Sequence, residues 1–275
     1  MVKTLILDLA LARRVEMAEA HTGLQCVEIL PKRWPDCGAA FERIAGGYAL
    51  YSGPNSPLTQ GVAIALDGPT TEAEFGRLES FYGERKEPVR AEMCPLADPL
   101  FLAQFGTRGY RVTEFSNVMA KELQREDRAM SSKDAPADGI TIERLCADDA
   151  QLWGSTVADG FAEKPPSIPE IVELMKTFAL IPSVECYLAR IDGEVAGGAA
   201  VSFCDDVAVL FAASTLPAFR GRGVQTALLQ KRLARAAEAG SELAVCVAPP
   251  GSTSQHNITR HGFETLYTRV KFEKD

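Results

Sequence analysis

Ser214 to Leu233 reads STLPAFRGRGVQTALLQKRL. Ahead of it, Val207 to Ser214 (VAVLFAAS) is apolar enough for a strand buried on both faces. Pro217 then breaks the strand, and Arg220-Gly221-Arg222-Gly223-Val224-Gln225 leads into a helix expected from about Arg222 to Ala239. Thr226, Leu229, Leu233 and Ala236 fall three and four apart and form one apolar stripe, with Lys231, Arg232, Arg235 and Glu238 expected to face water. Gly240 is a natural stop. The first N–H groups of a helix lack internal partners, and the helix dipole adds about half a positive charge there. Glycines let an anion approach the backbone, and Arg220 and Arg222 can add charge-assisted hydrogen bonds. A strand, a glycine-rich turn and a helix in this order therefore read as a phosphate site. The turn is not a dinucleotide fingerprint, because Thr226 stands where the third glycine belongs, and without Gly-Lys-Ser/Thr it is not a P-loop.

Working outward, Ile140 to Leu145 alternates as a half-buried strand. Asp148 or Asp149 can cap a helix through Trp153 to Phe161, which Pro165 and Pro166 end. Ser167 and Pro169 open a second helix through Leu180. Val184–Ile191 and Glu194–Phe203 are strands around an Asp192-Gly193 turn, and Asp205-Asp206 makes the next turn. Leu243 to Ala248 is a buried strand, Pro249-Pro250-Gly251 ends it, Ser254 to Arg260 is a short helix, and Glu264 to Phe272 is expected as an edge strand.

RGRGVQ resembles the acyl-CoA loop of the GNAT superfamily, whose pattern is Gln or Arg, two residues, Gly, one residue, then Gly or Ala. Arg220 and Gly223 match, and Gln225 stands where a small residue is usual. The order β-α-α-β-β-β-α-β-α-β from Ile140 onward is also that of a GNAT domain. The resemblance implies an α/β mixed-sheet GNAT acyltransferase fold, with acetyl-CoA as co-substrate and the primary amine of a small molecule or peptide as acceptor. It implies that backbone groups of Ala213, Ser214 and Thr215 pair with the pantetheine arm. The amides from Arg222 through Gly223, Val224, Gln225 and Thr226, with Arg220 and Gly221, would hold the pyrophosphate. Ser254 and Asn257 would lie near the arm, although Ser254 reads equally well as a helix cap.

The catalytic pattern is thinner. Val209 stands where many family members carry a Glu base, and Ile258 where many carry a Tyr. Tyr267 and His261 are the stand-ins, each also readable as structural: a packed strand aromatic and a residue favoured by a helix C-terminus. Asp159 and Glu163 lie where the family shapes its acceptor site. The alternative to an enzyme is a non-catalytic acyl-CoA-binding or sensor protein.

Pro88–Leu123 parallels Leu243–Asp275: strand, proline turn, short helix, Gly-aromatic (Gly109-Tyr110, Gly262-Phe263) and a last strand. This predicts two tandem GNAT-like domains, 1–123 and 139–275, joined by a polar linker over 124–138. The first half has LDGPTTEAEFGRLE (Leu66–Glu79) in place of an Arg-x-x-Gly loop, so it is expected to bind no CoA and to complete the acceptor cleft or a homodimer contact.

Composition sets the outer bounds. The chain has 275 residues, 46% hydrophobic and 24% charged, enough for a core in each half. Net charge is −8, which disfavours nucleic-acid binding. Residues 217–275 hold nine Lys or Arg against five acids, a local +4, leaving −12 elsewhere. A basic island suits an anionic cofactor. No membrane span is expected, and MVKTLILDLALARRVE is a poor signal peptide because Asp8 interrupts it. Seven cysteines without metal spacing and three histidines without a motif predict no metal and fit a reducing cytoplasm.

Overall fold

The computed structural model describes residues 5–124, 139–145, 149–162 and 164–275. Contacts divide the chain into two compact units, Met1–Ala120 with Val247–Asp275, and Lys121–Cys246. This division differs from the sequence-based one by giving the last segment to the first unit. Apart from Gln124, the expected linker lies outside the described residues, as do Asp148 and Glu163.

The first unit opens with α1 (Leu9–Arg33), where Asp8 accepts the amide of Leu11 at 2.8 Å as N-cap. Ala12, Val15, Cys26, Val27 and Leu30 bury one face of it. β1 (Ala40–Ile44) and β2 (Gly47–Tyr51) form a hairpin around Ala45-Gly46, both at positive φ, as a two-residue turn demands. β3 (Gln60–Val62), α2 (Glu72–Gly83), β4 (Val89–Met93), α3 (Pro99–Thr107) and β5 (Arg111–Glu122) follow. Phe75, Phe101 and Phe105 are fully buried, with ring centroids 4.9 Å apart from Phe75 to each of the others.

The second unit runs β6 (Ile140–Arg144), α4 (Ala150–Phe161), α5 (Pro169–Phe178), β7 (Val184–Ile191), β8 (Glu194–Cys204), β9 (Val207–Thr215), α6 (Val224–Glu238) and β10 (Leu243–Ala248). Its strands lie in the order β10-β9-β8-β7-β6, with β9 and β10 parallel and the other neighbours antiparallel. Two adjacent β8 glycines show how the layers pack, because successive strand residues point to opposite faces. A Cβ on Gly198 would come 2.8 Å from Val157 of α4, and one on Gly197 would come 3.1 Å from Val224 of α6. The two helices therefore cover opposite faces, each approaching the backbone where no side chain intervenes. Lys231 and Glu238 are exposed, but Arg232 is not solvent-facing as its helical position suggested: it is 3% exposed. The buried face of α6 is broader than the expected stripe and includes Leu228 and Arg232.

The final segment, α7 (Thr253–Thr259) and β11 (Glu264–Lys274), belongs to the first unit. β11 is not an edge strand. It lies between β4 and β5, antiparallel to both, in the order β1-β2-β3-β4-β11-β5. Its cations Arg269 and Lys271 find acidic partners within the unit. Arg269, 2% exposed, bonds Glu16 at 2.8 Å, Glu92 at 3.1 Å and Glu19, and Lys271 reaches Glu92 at 3.1 Å. Both halves of the sequence contain a strand, short helix and strand of the expected kind, β4-α3-β5 and β10-α7-β11. Among the described residues no helix is long and apolar enough to cross a membrane, and no group of three His, Cys, Asp or Glu is placed to hold a metal ion.

Candidate functional site

β9 and β10 pair over only three positions, Leu243 with Val207, Ala244 with Ala208 and Val245 with Val209. β9 runs on to Thr215, so its edge away from β8 leaves the ladder after Val209. Beyond Val209 its pairing with β10 has ended, so backbone groups on that edge must find partners other than β10. On the β8 side the register steps from Gly198–Ser214 to Ala200–Phe211. Ala212 and Ala213 thus oppose Ala199 alone, a β-bulge with Ala212 at φ 50°. A positive φ on alanine is strained, and such strain gathers at functional positions.

Past the bulge the strand end is tied down by side chains. Ser214 is buried and its Oγ donates to Val157 O at 3.0 Å. A Cβ on Gly160 would lie 2.3 Å from that Oγ, so α4 must carry glycine where it crosses β9. Arg220 donates from Nε to Thr215 O at 3.3 Å and from Nη2 to Gly160 O at 3.1 Å. Its guanidinium is therefore a strut between β9, α4 and the loop. Gln225 donates from Nε2 to Thr215 Oγ1 at 2.9 Å, which directs its amide to the strand end. Arg222 is half-exposed, 3.6 Å from Asp192 and 5.7 Å from the centre of the Phe219 ring.

The loop ends in Gly223, the residue before α6, at φ 87°; Gly221 is at φ 77°. No side chain caps α6, and no described residue accepts from the amides of Arg222 through Thr226. Gly221, Arg222 and Gly223 are exposed. A helix start with unpaired amides, no cap, no acidic residue in its first turn and two glycines beside it fits a diphosphate.

Residues 155–263 match the Acetyltransferase (GNAT) family. That stretch is a GNAT domain. No curated protein matches the chain in sequence. Among solved structures, a GCN5-related N-acetyltransferase from Kribbella flavida is similar with a TM-score of 0.65 at 16% identity, covering 93% of this chain and 95% of that one. A tandem GNAT protein from the clavulanic acid biosynthesis pathway has a TM-score of 0.65 at 14% identity, covering 97% and 94%. A functionally unknown conserved protein from Staphylococcus epidermidis reaches 0.59 at 11% identity over 90% and 98%. These likenesses show the fold, which this chain shares over nearly its whole length with a tandem GNAT protein.

Ser254, Asn257, His261 and Tyr267 fall outside the unit that holds most of the matched stretch. Ser254 is exposed on α7, and Ser252 rather than Ser254 caps that helix, accepting the Gln255 amide at 3.1 Å. Asn257 Oδ1 accepts from Arg260 at 3.2 Å, and His261 Nδ1 donates to Asn257 O at 2.8 Å. Tyr267 is buried on β11 and its hydroxyl donates to Glu16 at 2.8 Å. Burial and the Glu16 carboxylate push its pKa up, so the proton stays in that bond. Tyr267→Phe is expected to lower the stability of the first unit by about 1–2 kcal/mol, read by denaturant midpoint. An unchanged midpoint would mean that this hydrogen bond does not hold the strand. Val209 and Ile258 are both buried. Asp159 accepts the Ser167 amide at 2.7 Å and so shapes the connection between α4 and α5.

Gly160, Gly197, Gly198 and the Ala212 bulge were not singled out from the sequence. The signal for two of the glycines was there: AGGAAV (Ala196–Val201) in a buried strand marks close helix approach. The bulge has no glycine to announce it.

Proposed function

We propose that the chain is an acetyl-CoA-dependent N-acetyltransferase acting on the primary amine of a small molecule or peptide. The observation that carries this is the uncapped start of α6 beside the splayed end of β9. Backbone groups of Ala213, Ser214 and Thr215 would pair with the pantetheine arm, and amides from Arg222 to Thr226 would hold the pyrophosphate. Gly221 and Gly223 give the phosphates room. Arg220 and Gln225 act by bracing the loop on Thr215, with Arg222 the arginine facing solvent. Acetyl-CoA, as co-substrate, supplies an activated acetyl thioester. In the reaction the amine nitrogen bonds to the carbonyl carbon, the C–S bond breaks, and the thiolate and the acylated nitrogen settle their protons with water. β9 amides favour this by donating to the carbonyl oxygen as it gains charge.

The first unit lacks an equivalent phosphate site among its described residues. Thr71 and Glu74 close the start of α2 with a capping box, in which Glu74 accepts the Thr71 amide at 2.8 Å. Asp98 accepts the Thr70 amide at 2.7 Å and its hydroxyl at 2.6 Å. Carboxylates occupy the place an anion would need. Calorimetry with acetyl-CoA is therefore expected to give one site per chain. Two sites, or none with the fold intact, contradict the assignment.

Val209 in place of a base, and a Tyr267 hydroxyl committed to Glu16, favour a second reading as an acyl-CoA-binding sensor. A thiol-release assay over a broad amine panel separates the two. Turnover on any amine rules out a pure sensor, and binding without turnover supports it.

A further inference from the structure

Arg232 is a buried cation that neither the amphipathic pattern nor the cofactor loop explains. It sits on the face of α6 turned to the sheet. Nε donates to Leu228 O of its own helix at 3.1 Å. Nη1 donates to Ala200 O at 3.1 Å and to Phe211 O at 3.3 Å. Its three hydrogen bonds thus end on carbonyls, and no carboxylate among the described residues pairs with it. Burial lowers its pKa to about 10, so it remains a cation at neutral pH. A buried charge without a counter-ion is costly, and a leucine of similar reach would fill an apolar helix face without that cost.

The two sheet carbonyls it holds lie on either strand at the β9 bulge. Ala200 and Phe211 are the pair at which the register resumes, and Ala212 and Ala213 are the doubled residues. The carbonyl of Ala199, the residue facing them, accepts from Trp153 Nε1 of α4 at 3.3 Å. The bulge is thus clamped by an indole from one face and a guanidinium from the other. Phe211 C=O and Ala212 N–H belong to one trans peptide, so they point in opposite directions. A cation on the carbonyl fixes that peptide and draws its electrons, which makes the N–H a stronger donor.

We propose that Arg232 is a positioning residue: it anchors and polarises the Phe211–Ala212 peptide so that the Ala212 N–H donates to the thioester carbonyl of the bound acyl-CoA. This rests on the acyl-CoA reading above and adds to it a specific donor and the side chain that sets it.

The test compares acetyl-CoA with S-ethyl-CoA, a thioether without the carbonyl, by calorimetry on the full chain. The unsubstituted protein is expected to bind acetyl-CoA about five- to tenfold more tightly than the thioether, the worth of one such hydrogen bond. Arg232→Met is expected to lose that preference while its affinity for S-ethyl-CoA stays within about twofold. Arg232→Lys keeps the charge but not the fork, and should fall between. A role in stability alone would leave the ratio of the two affinities untouched in both variants. An unchanged ratio in folded Arg232→Met overturns the proposal, and should that variant fail to fold, an unchanged ratio in Arg232→Lys does the same. No preference in the unsubstituted protein also overturns it, leaving CoA binding intact. Failure to bind either ligand removes the acyl-CoA reading itself.

Discussion

Gly223→Val is expected to weaken acetyl-CoA binding by about a hundredfold, the loss of one or two charge-assisted backbone hydrogen bonds. Two effects combine. Gly223 sits at φ 87°, where a β-branched residue is strained, so the loop must shift to relieve it. A valine side chain would also stand in the exposed approach to the α6 amides. The protein should survive the change, because a Cβ there meets only Ile140 Cδ1, at 3.6 Å. The expected stability loss is about 1–2 kcal/mol. Calorimetry alongside thermal unfolding distinguishes the outcomes. Wild-type affinity in a folded Gly223→Val protein would mean that the diphosphate lies elsewhere. Gly221→Ala is the milder companion: nothing lies within 4 Å of where its Cβ would stand, so strain at φ 77° is its main effect.

The second large effect concerns stability. Arg269→Met should destabilise the first unit by about 3–5 kcal/mol, because removing one partner strands buried charges. Glu16 and Glu92 are both largely buried around this one guanidinium, with Glu19 beside them. At present burial dominates at Glu16 and holds its pKa above the ordinary 4.5 despite Arg269. At Glu92 burial acts the same way, but Arg269 and Lys271 outweigh it and hold the pKa below 4.5. Without Arg269 both carboxyls shift upward, so the folded variant binds more protons than the unfolded chain. Its deficit should therefore shrink as pH falls from about 7 to about 5. Adding Glu16→Gln should recover part of the loss, since it removes one stranded charge. Denaturant unfolding at the two pH values checks both statements, and a deficit that grows on acidification would contradict the charge argument.

What could be read beforehand follows the range of each interaction. Strand, loop and helix around Arg220 are local, so Gly223 and the turn glycines announced them, and α6 starts within two residues of the expected place. The β7–β8 hairpin was equally plain from Asp192-Gly193. β11 was misplaced for the opposite reason. Arg269 and Lys271 look solvent-bound in their own strand, and only Glu16, 253 positions away from Arg269, and Glu92, 177 positions away, make them interior. Arg232 failed in the same manner: helical periodicity assigns a charge to water, and the carbonyls that hold it come from β8 and β9. The glycine-rich loop before α6 was visible as a motif. Its bracing by Arg220 and Gln225 was not, because those partners depend on where Thr215 and Gly160 end up in space.

The return of the last segment to the first unit carries a consequence for how the molecule is made. Residues 121–246 form a continuous piece whose extremities meet, since the Leu123 amide donates to Glu242 O at 2.9 Å. That piece can finish folding on the ribosome as soon as it emerges. The first unit must wait for β11, an interior strand of its sheet that follows the middle piece in the sequence. A completed middle piece then shortens the effective loop between β4 and β11, lowering the entropic cost of closing it.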